Sequence, residues 1–344
     1  MRIVLSCLIL FPCALAGIAS GAEHLCFESA SGFSEGLAPV QIDSKYGFID
    51  RTGRIVIEPA FEWAGPFSEG LAPMQILRYG IAYTGFINKS GDTVIDAEYI
   101  YAGSFSNGLA YVDAGDPEYR IPQYINIYGI TTIDGGFDHG WDFSEGLAPV
   151  EVDGKYGYID TVGSLGIQPR FEFASGFSEG RALVQLNHKC AFINKSGEMI
   201  IEPRLDFAGT FHDGLAGFES DSTWGYIDTI GNVVIEPRYE QCGDFAEGLA
   251  PVQLKAVWGY INREDSMVIA PTYTFADGFS EGLGRVRLGE KSGYVDKSGK
   301  MVIEPQFRYC GPFREGYACV RTDDGSCFID KKGSYITKPQ LKKK

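Results

Sequence analysis

The stretch FSEGLAPVQIDSKYGFIDRTGRIVIEPAFEWAGP, residues 33–66, holds one full period of the chain. Its opening FSEGLAPV, Phe33 to Val40, recurs letter for letter from Phe143 to Val150. Phe-x-x-Gly returns at Phe33, Phe67, Phe105, Phe143, Phe177, Phe211, Phe245, Phe279 and Phe313, at spacings of 34, 38, 38, 34, 34, 34, 34 and 34 residues. A fixed period over most of a chain means one supersecondary unit copied in series, here nine times.

A second cluster keeps the same register: an aromatic, then Ile or Val, then Asp or Asn, as in Phe48-Ile49-Asp50, Tyr226-Ile227-Asp228 and Phe328-Ile329-Asp330. Gly follows three residues after the Asp or Asn in eight of the nine units, with Asp265 the exception. An apolar run such as Ile55-Val56-Ile57 comes next, and then a Pro such as Pro59. Each unit thus predicts three short strands, LAPVQI, YGFID and RIVIE, because runs of about five β-branched and aromatic residues bounded by turn signals suit strands. Asp50-Arg51-Thr52-Gly53 is a turn in which the Asp side chain accepts backbone N–H bonds and Gly takes the left-handed position. Pro59, lacking an N–H, is expected to end the third strand. The fold class is all-β: nine three-stranded β-meander repeats of about 34 residues.

KYGFID, KYGYID, TWGYID and VWGYIN, each preceded by FSEGLAPV-like sequence and followed by G-x-x-V-I-x-P, resemble the WG (or KWG) β-repeat family of bacterial proteins. Trp-Gly itself stands at Trp224-Gly225 and Trp258-Gly259, while Tyr46, Tyr156, Cys190, Ser292 and Ser326 take the Trp position in other units. The resemblance implies a repeat scaffold with a binding role, and no reaction.

One such unit cannot bury both of its faces, so neighbours must stack, as an open superhelical array or as a closed propeller-like ring. Cys26 to Gly32 matches the linker piece Arg170 to Gly176, and Lys338-Pro339-Gln340-Leu341 matches Glu236-Pro237-Arg238-Tyr239, which speaks for closure. Against closure, 34 residues is short for a four-stranded blade and nine blades would be many. The balance leans slightly to the open array.

Residues 1–22, MRIVLSCLILFPCALAGIASGA, have the form of a secretory signal peptide with a cut near Glu23. The array then covers 23–341, and 342–344 form a basic tail. The leader is too short to be a membrane span and no later segment is apolar enough. An exported protein, periplasmic or extracellular, is expected. A net charge of −15, with clustered Lys only at Lys342-Lys343-Lys344, argues against nucleic acid. His24, His139, His188 and His212 lack metal-ligand spacing, and no nucleophile elbow, phosphate loop or dinucleotide fingerprint occurs, so no metal, cofactor or enzyme activity is expected. Cys319 and Cys327 flank one hairpin and form the candidate disulfide, Cys26 and Cys190 have no assignable mate, and Cys242 and Cys310 read as small packed side chains.

Two repeated rows were candidates for chemistry. The turn acids, Glu35 and its equivalents, read mainly as solvated turn residues, with a calcium or cation row as the alternative. Tyr46, Tyr156, Trp224 and Trp258 read mainly as packing between units, with a sugar or choline surface as the alternative.

The two 38-residue spacings are the informative departures. Both place four extra residues in the hairpin between the LAPV-like strand and the aromatic-Ile-Asn strand, over Leu77 to Thr84 and Asp113 to Pro122. Insertions at one register in neighbouring repeats emerge side by side, often on a binding face. The candidate binding residues are therefore Arg78, Tyr79, Tyr83, Asp116, Glu118, Tyr119 and Arg120, with Trp141 from the irregular Gly135-Gly136-Phe137-Asp138-His139-Gly140-Trp141. The expected function is a non-enzymatic scaffold that binds a protein or cell-envelope component. A carbohydrate-binding module is the alternative, and a hydrolase with a central-channel site the least supported reading.

Overall fold

A computed structural model of the chain describes residues 24–337, so the expected leader over 1–22 and the tail Lys342-Lys343-Lys344 lie outside the described residues. Regular structure among the described residues is all β, in nine four-stranded antiparallel sheets. The sheets form a closed nine-bladed propeller, which corrects the lean toward an open array.

Blades have four strands where the repeat predicts three. Blade 1 comprises Ser29–Ala30, Leu37–Ile42, Lys45–Asp50 and Ile55–Phe61. The added first strand is two residues long and pairs Ser29 with Gln41 and Ala30 with Val40. Two residues cannot display strand alternation, and they sit where one period runs into the next. Pro59 does not end the last strand, which runs on to Phe61. Tyr46 pairs with Phe61 and Phe48 with Ile57, so Gly47 alone opposes Glu58, Pro59 and Ala60 across a bulge. There the missing Pro N–H costs no ladder bond. A Cβ on Gly47 would lie 2.4 Å from the Ile57 carbonyl oxygen and 2.7 Å from Pro59 N, so the bulge explains the Gly that follows Tyr or Trp.

The core lies between blades. Phe48 and Ile57 of blade 1 are buried together with Phe67, Ala72, Met74 and Ile87 of blade 2. The third-strand aromatic of each blade meets the Phe-x-x-Gly phenylalanine of the next, with ring centroids 4.8–5.0 Å apart, from Phe48–Phe67 to Tyr294–Phe313. The same pair closes the ring as Phe328–Phe33 at 4.9 Å. Such contacts add about 1 kcal/mol each beyond the area they bury. Tyr46, Trp224 and Trp258 also pack against these inter-blade cores.

A polar ring accompanies the apolar one. Ser34 and Leu37 exchange backbone bonds around Glu35 and Gly36, whose φ values of 52° and 88° make a two-residue hairpin turn. A non-glycine residue in the left-handed region costs about 1 kcal/mol. Glu holds the position because its carboxylate reaches the next blade and accepts the Gly70 amide N–H at 3.1 Å. The equivalent bond links every successive pair of blades through Glu69, Asn107, Glu145, Glu179, Asp213, Glu247 and Glu281, and Glu315 returns it to Gly36 at 3.0 Å. Lys89, Lys195, Lys297 and Lys331 pair with these carboxylates from the following blade, and Arg51 does so for Glu315. The turn acids are thus latches between blades. They do not converge as a cation row would require.

Blade 9 takes its outer strand from the other end of the chain. Cys26–Phe27 pairs with Ser326–Asp330, and a disulfide joins Cys26 to Cys327. This corrects the Cys319–Cys327 pairing. Cys319 faces Phe328 and Val320 faces Cys327, so the two cysteine side chains leave opposite faces of the hairpin. Burial pushes the thiols of Cys242 and Cys310 up to about 12, as befits packed, unreactive groups.

Two predictions follow from closure. The disulfide spans 301 residues, so Cys26→Ser should lower stability by about 5 kcal/mol in the chain-entropy picture. Denaturant unfolding of the parent and variant checks this, and equal midpoints under oxidising conditions would contradict the clasp. The second concerns acid. Burial opposes the charged forms of Glu145, Glu247 and Glu315, but the partner cation and the neighbouring amide outweigh it and hold each pKa below the usual range. Stability from a depressed carboxylate is present above its unfolded pKa of about 4.3 and is lost as pH falls through the folded value. Tm should therefore drop below about pH 4.5, and the drop should shrink when the three Glu are replaced by Gln. Identical acid limbs for parent and triple variant would remove the latch from the account.

Candidate functional site

The antiparallel order places the Phe-x-x-Gly and Asx-Gly turns at one end of every blade, and the second-to-third-strand hairpins at the other. Both long hairpins therefore emerge at the same end, from blades 2 and 3. In blade 2, Tyr79 and Gly80 turn with φ of 53° and 82°, and Arg78 and Tyr79 are exposed at the tip. Tyr83 is half-buried against the core shared by blades 1 and 2. In blade 3, Asp116 Oδ1 accepts the amides of Glu118 and Tyr119 at 2.9 and 2.8 Å, so Asp116 shapes the loop. Glu118 and Tyr119 are exposed on it, and Arg120 folds back to Asp113 at 3.2 Å.

Through Tyr111 that ion pair adjoins a cavity of about 360 Å³, lined by the short strands of blades 3, 4 and 5 and the residues after them. Equivalent strands of three successive blades can line one cavity only where they crowd together, on the concave side of the ring. Its walls include Tyr101, Tyr111, His139, Trp141, Asp142 and Phe173. Of the residues singled out in the sequence, Trp141 lines it and Arg120 braces it.

The walls of this cavity carry residues that are uncommon in their columns of the repeat. Six residues after the repeat Phe, four units carry Pro39, Pro73, Pro149 and Pro251, blade 3 carries Tyr111, and the remaining four carry Leu183, Gly217, Arg285 and Cys319. Two residues on, blade 3 has Asp113 where four units have Gln41, Gln75, Gln185 and Gln253 and the others Glu151, Glu219, Arg287 and Arg321. The short strand of blade 4 has Gly140 where most units have Ala. These changes fit one another. A Cβ on Gly140 would lie 2.9 Å from the Tyr111 ring and 2.5 Å from the Tyr124 hydroxyl, so the larger side chain at 111 requires the smaller one at 140.

Asp113 is almost fully buried, at 2% exposure, and is held from two sides. The Tyr111 hydroxyl donates to its Oδ1 at 2.5 Å and Arg120 donates to its Oδ2 at 3.2 Å. A hydroxyl that gives its one proton to Asp113 can only accept from His139 Nδ1, 2.9 Å away. Burial and the Asp113 carboxylate push the Tyr111 phenol far above its usual range, so it stays a donor. Asp142 differs: its carboxylate reaches solvent, yet the surrounding wall desolvates it and raises its pKa, with the Ser104 amide acting in the opposite sense.

Sequence reading missed Tyr101, Tyr111, Asp113, Asp142 and Phe173. The available signal was the column four residues before the repeat Phe, which holds Trp63, Tyr101, His139, Phe173, Phe207, Phe275 and Tyr309 in seven of nine units. Those aromatics are on the short strands, and Trp63, Tyr101, Phe173, Phe207, Phe275 and Tyr309 are exposed. The column at Tyr46, Tyr156, Trp224 and Trp258, weighed instead, lies on the third strand of its blade, two strands from the short one, and packs between blades.

Among solved structures the chain is similar to the tricorn protease, at 11% identity and a TM-score of 0.32, covering 86% of this chain and 37% of that one. It is also similar to PorZ, a surface component of the type-IX secretion system of Porphyromonas gingivalis, at 10% identity and a TM-score of 0.33, covering 93% and 52%. An Hsv2 variant with a loop replaced by a Gly-Ser linker matches at 8% identity and a TM-score of 0.35, covering 87% and 96%. The chain thus spans about a third to a half of the first two, and likeness at this level carries no functional argument. No curated protein matches the chain. The family model for the WG containing repeat matches nine segments, 27–46, 46–76, 85–116, 131–156, 156–190, 191–223, 224–256, 258–291 and 293–325, and the chain belongs to that family.

Proposed function

We propose that this WG-repeat propeller is a non-enzymatic binding scaffold, exported to the periplasm or beyond, which engages a protein or envelope component at the cavity of blades 3 to 5. The observation that carries this reading is the convergence of departures. Tyr111 and Gly140 both depart from the commonest residue of their columns and line one cavity, and the Tyr111 hydroxyl ties that wall to the buried Asp113. The leader-like residues 1–22 and the disulfide both fit an oxidising compartment.

The test is capture from an envelope extract by the mature protein, beside a variant with blades 3 and 4 returned to the repeat: Tyr111→Pro, Asp113→Gln, His139→Phe and Gly140→Ala. The reverted protein should melt within a few degrees of the parent, because each new residue already occupies its station in other blades. A partner held by the parent and lost by this folded variant is the expected result. Equal capture by both would overturn the assignment.

Carbohydrate binding is the second reading, favoured by the exposed short-strand aromatics with polar cross-strand neighbours, such as Trp63 beside Gln75 and Phe207 beside Glu219. It predicts oligosaccharide binding that survives the reversion and is weakened tenfold or more by Phe207→Ala.

A further inference from the structure

Blade 8 contains, within the chain, a filled version of the blade 4 site. Six residues after its repeat Phe stands Arg285, at the station that Pro149 occupies in blade 4. The Arg285 guanidinium lies 5.2 Å from the Phe275 ring and 5.0 Å from the Tyr309 ring, between the short-strand aromatics of blades 8 and 9. It ion-pairs with Asp277 and donates to the Cys310 carbonyl at 2.5 Å. Aromatic faces and a carboxylate around one guanidinium make a cation site.

The corresponding short-strand residues in blades 4 and 5 are His139 and Phe173, and Pro149 is too short to fill the space between them. The walls there are again aromatic, with Trp141 at the station of Asp277 and with Tyr101 and Tyr111, and the acid is Asp142, one residue further on, beside Gly103 and Ser104 of blade 3. The two acids of the neighbourhood differ in what they have left to offer. Arg120 and the Tyr111 hydroxyl already engage Asp113, whereas no cationic side chain pairs with Asp142 among the described residues. The aligned acid of blade 7, Asp244, has His212 at 3.6 Å.

We infer that the blade 4–5 cavity receives an arginine-type cation from a partner, its guanidinium set against Phe173 and Trp141 with Asp142 as counter-charge. This rests on the reading of the cavity as the binding site and names the group it recognises. The Arg285 site shows that the fold accommodates such a cation at this station. A net charge of −15 favours the approach of a basic partner segment.

The probes are N-acetyl-arginine amide and its neutral isostere N-acetyl-citrulline amide, titrated into the full chain and followed by calorimetry and tryptophan fluorescence. Saturable binding of the arginine compound, at least tenfold tighter than citrulline, is expected. Asp142→Asn should weaken it tenfold or more, and Pro149→Arg, which installs the blade 8 residue, should abolish it while the protein stays folded. Asp244→Asn should leave it unchanged. Equal binding of arginine and citrulline would overturn the inference, as would arginine binding that survives Pro149→Arg in a folded variant. A partner lost on reverting the cavity, with no arginine binding by the parent, would overturn the cation assignment and leave the scaffold reading standing.

Discussion

The structure depends on the contact between the third-strand aromatic of one blade and the Phe-x-x-Gly phenylalanine of the next. No blade owns a complete core: each buried cluster takes residues from two neighbours. An open end would therefore expose half a core, and the last blade must find the first. Phe328 against Phe33, and Glu315 against the Gly36 amide, make the closing interface chemically the same as the other eight. The N-terminal strand and its disulfide fasten a junction that already has the same aromatic and polar contacts.

Nine copies of one interface impose the repeat, and this gives exceptions their meaning. Gly47 is needed by the bulge around Pro59, and Glu35 by the neighbouring turn. A position bound in this way tolerates little change. Tyr111 fits against Gly140 because that residue has no Cβ, and the buried Asp113 is satisfied by Arg120 and Tyr111. A paired change on two blades and a braced buried carboxylate, all beside the same cavity, are what a binding site superimposed on a rigid scaffold would leave behind.

Much of this was legible in the residues. The period, the all-β class and the Asx turns followed from spacing and turn chemistry, and Asp50 Oδ1 does accept the Thr52 and Arg54 amides. The two-residue Trp63–Ala64 strand was not legible, since nothing local distinguishes it from a linker. Pro59 misled because a bulge removes the requirement that normally excludes proline from a strand. Cys26 and Cys327 become neighbours only when the ring shuts, which local spacing cannot reveal. For the site, loop length points to Arg120 and the irregular segment 135–141 to Trp141, but Tyr111 and Gly140 in the cavity wall show only when each column of the repeat is compared along the chain.

Closure is the claim on which the rest stands, and peptide mapping of the oxidised, thiol-alkylated protein tests it most directly. The account predicts one cross-linked peptide joining Cys26 to Cys327, with Cys190, Cys242, Cys310 and Cys319 alkylated after unfolding. A Cys319–Cys327 link with Cys26 free would contradict it, because the chain could then stay open where the ring is held shut.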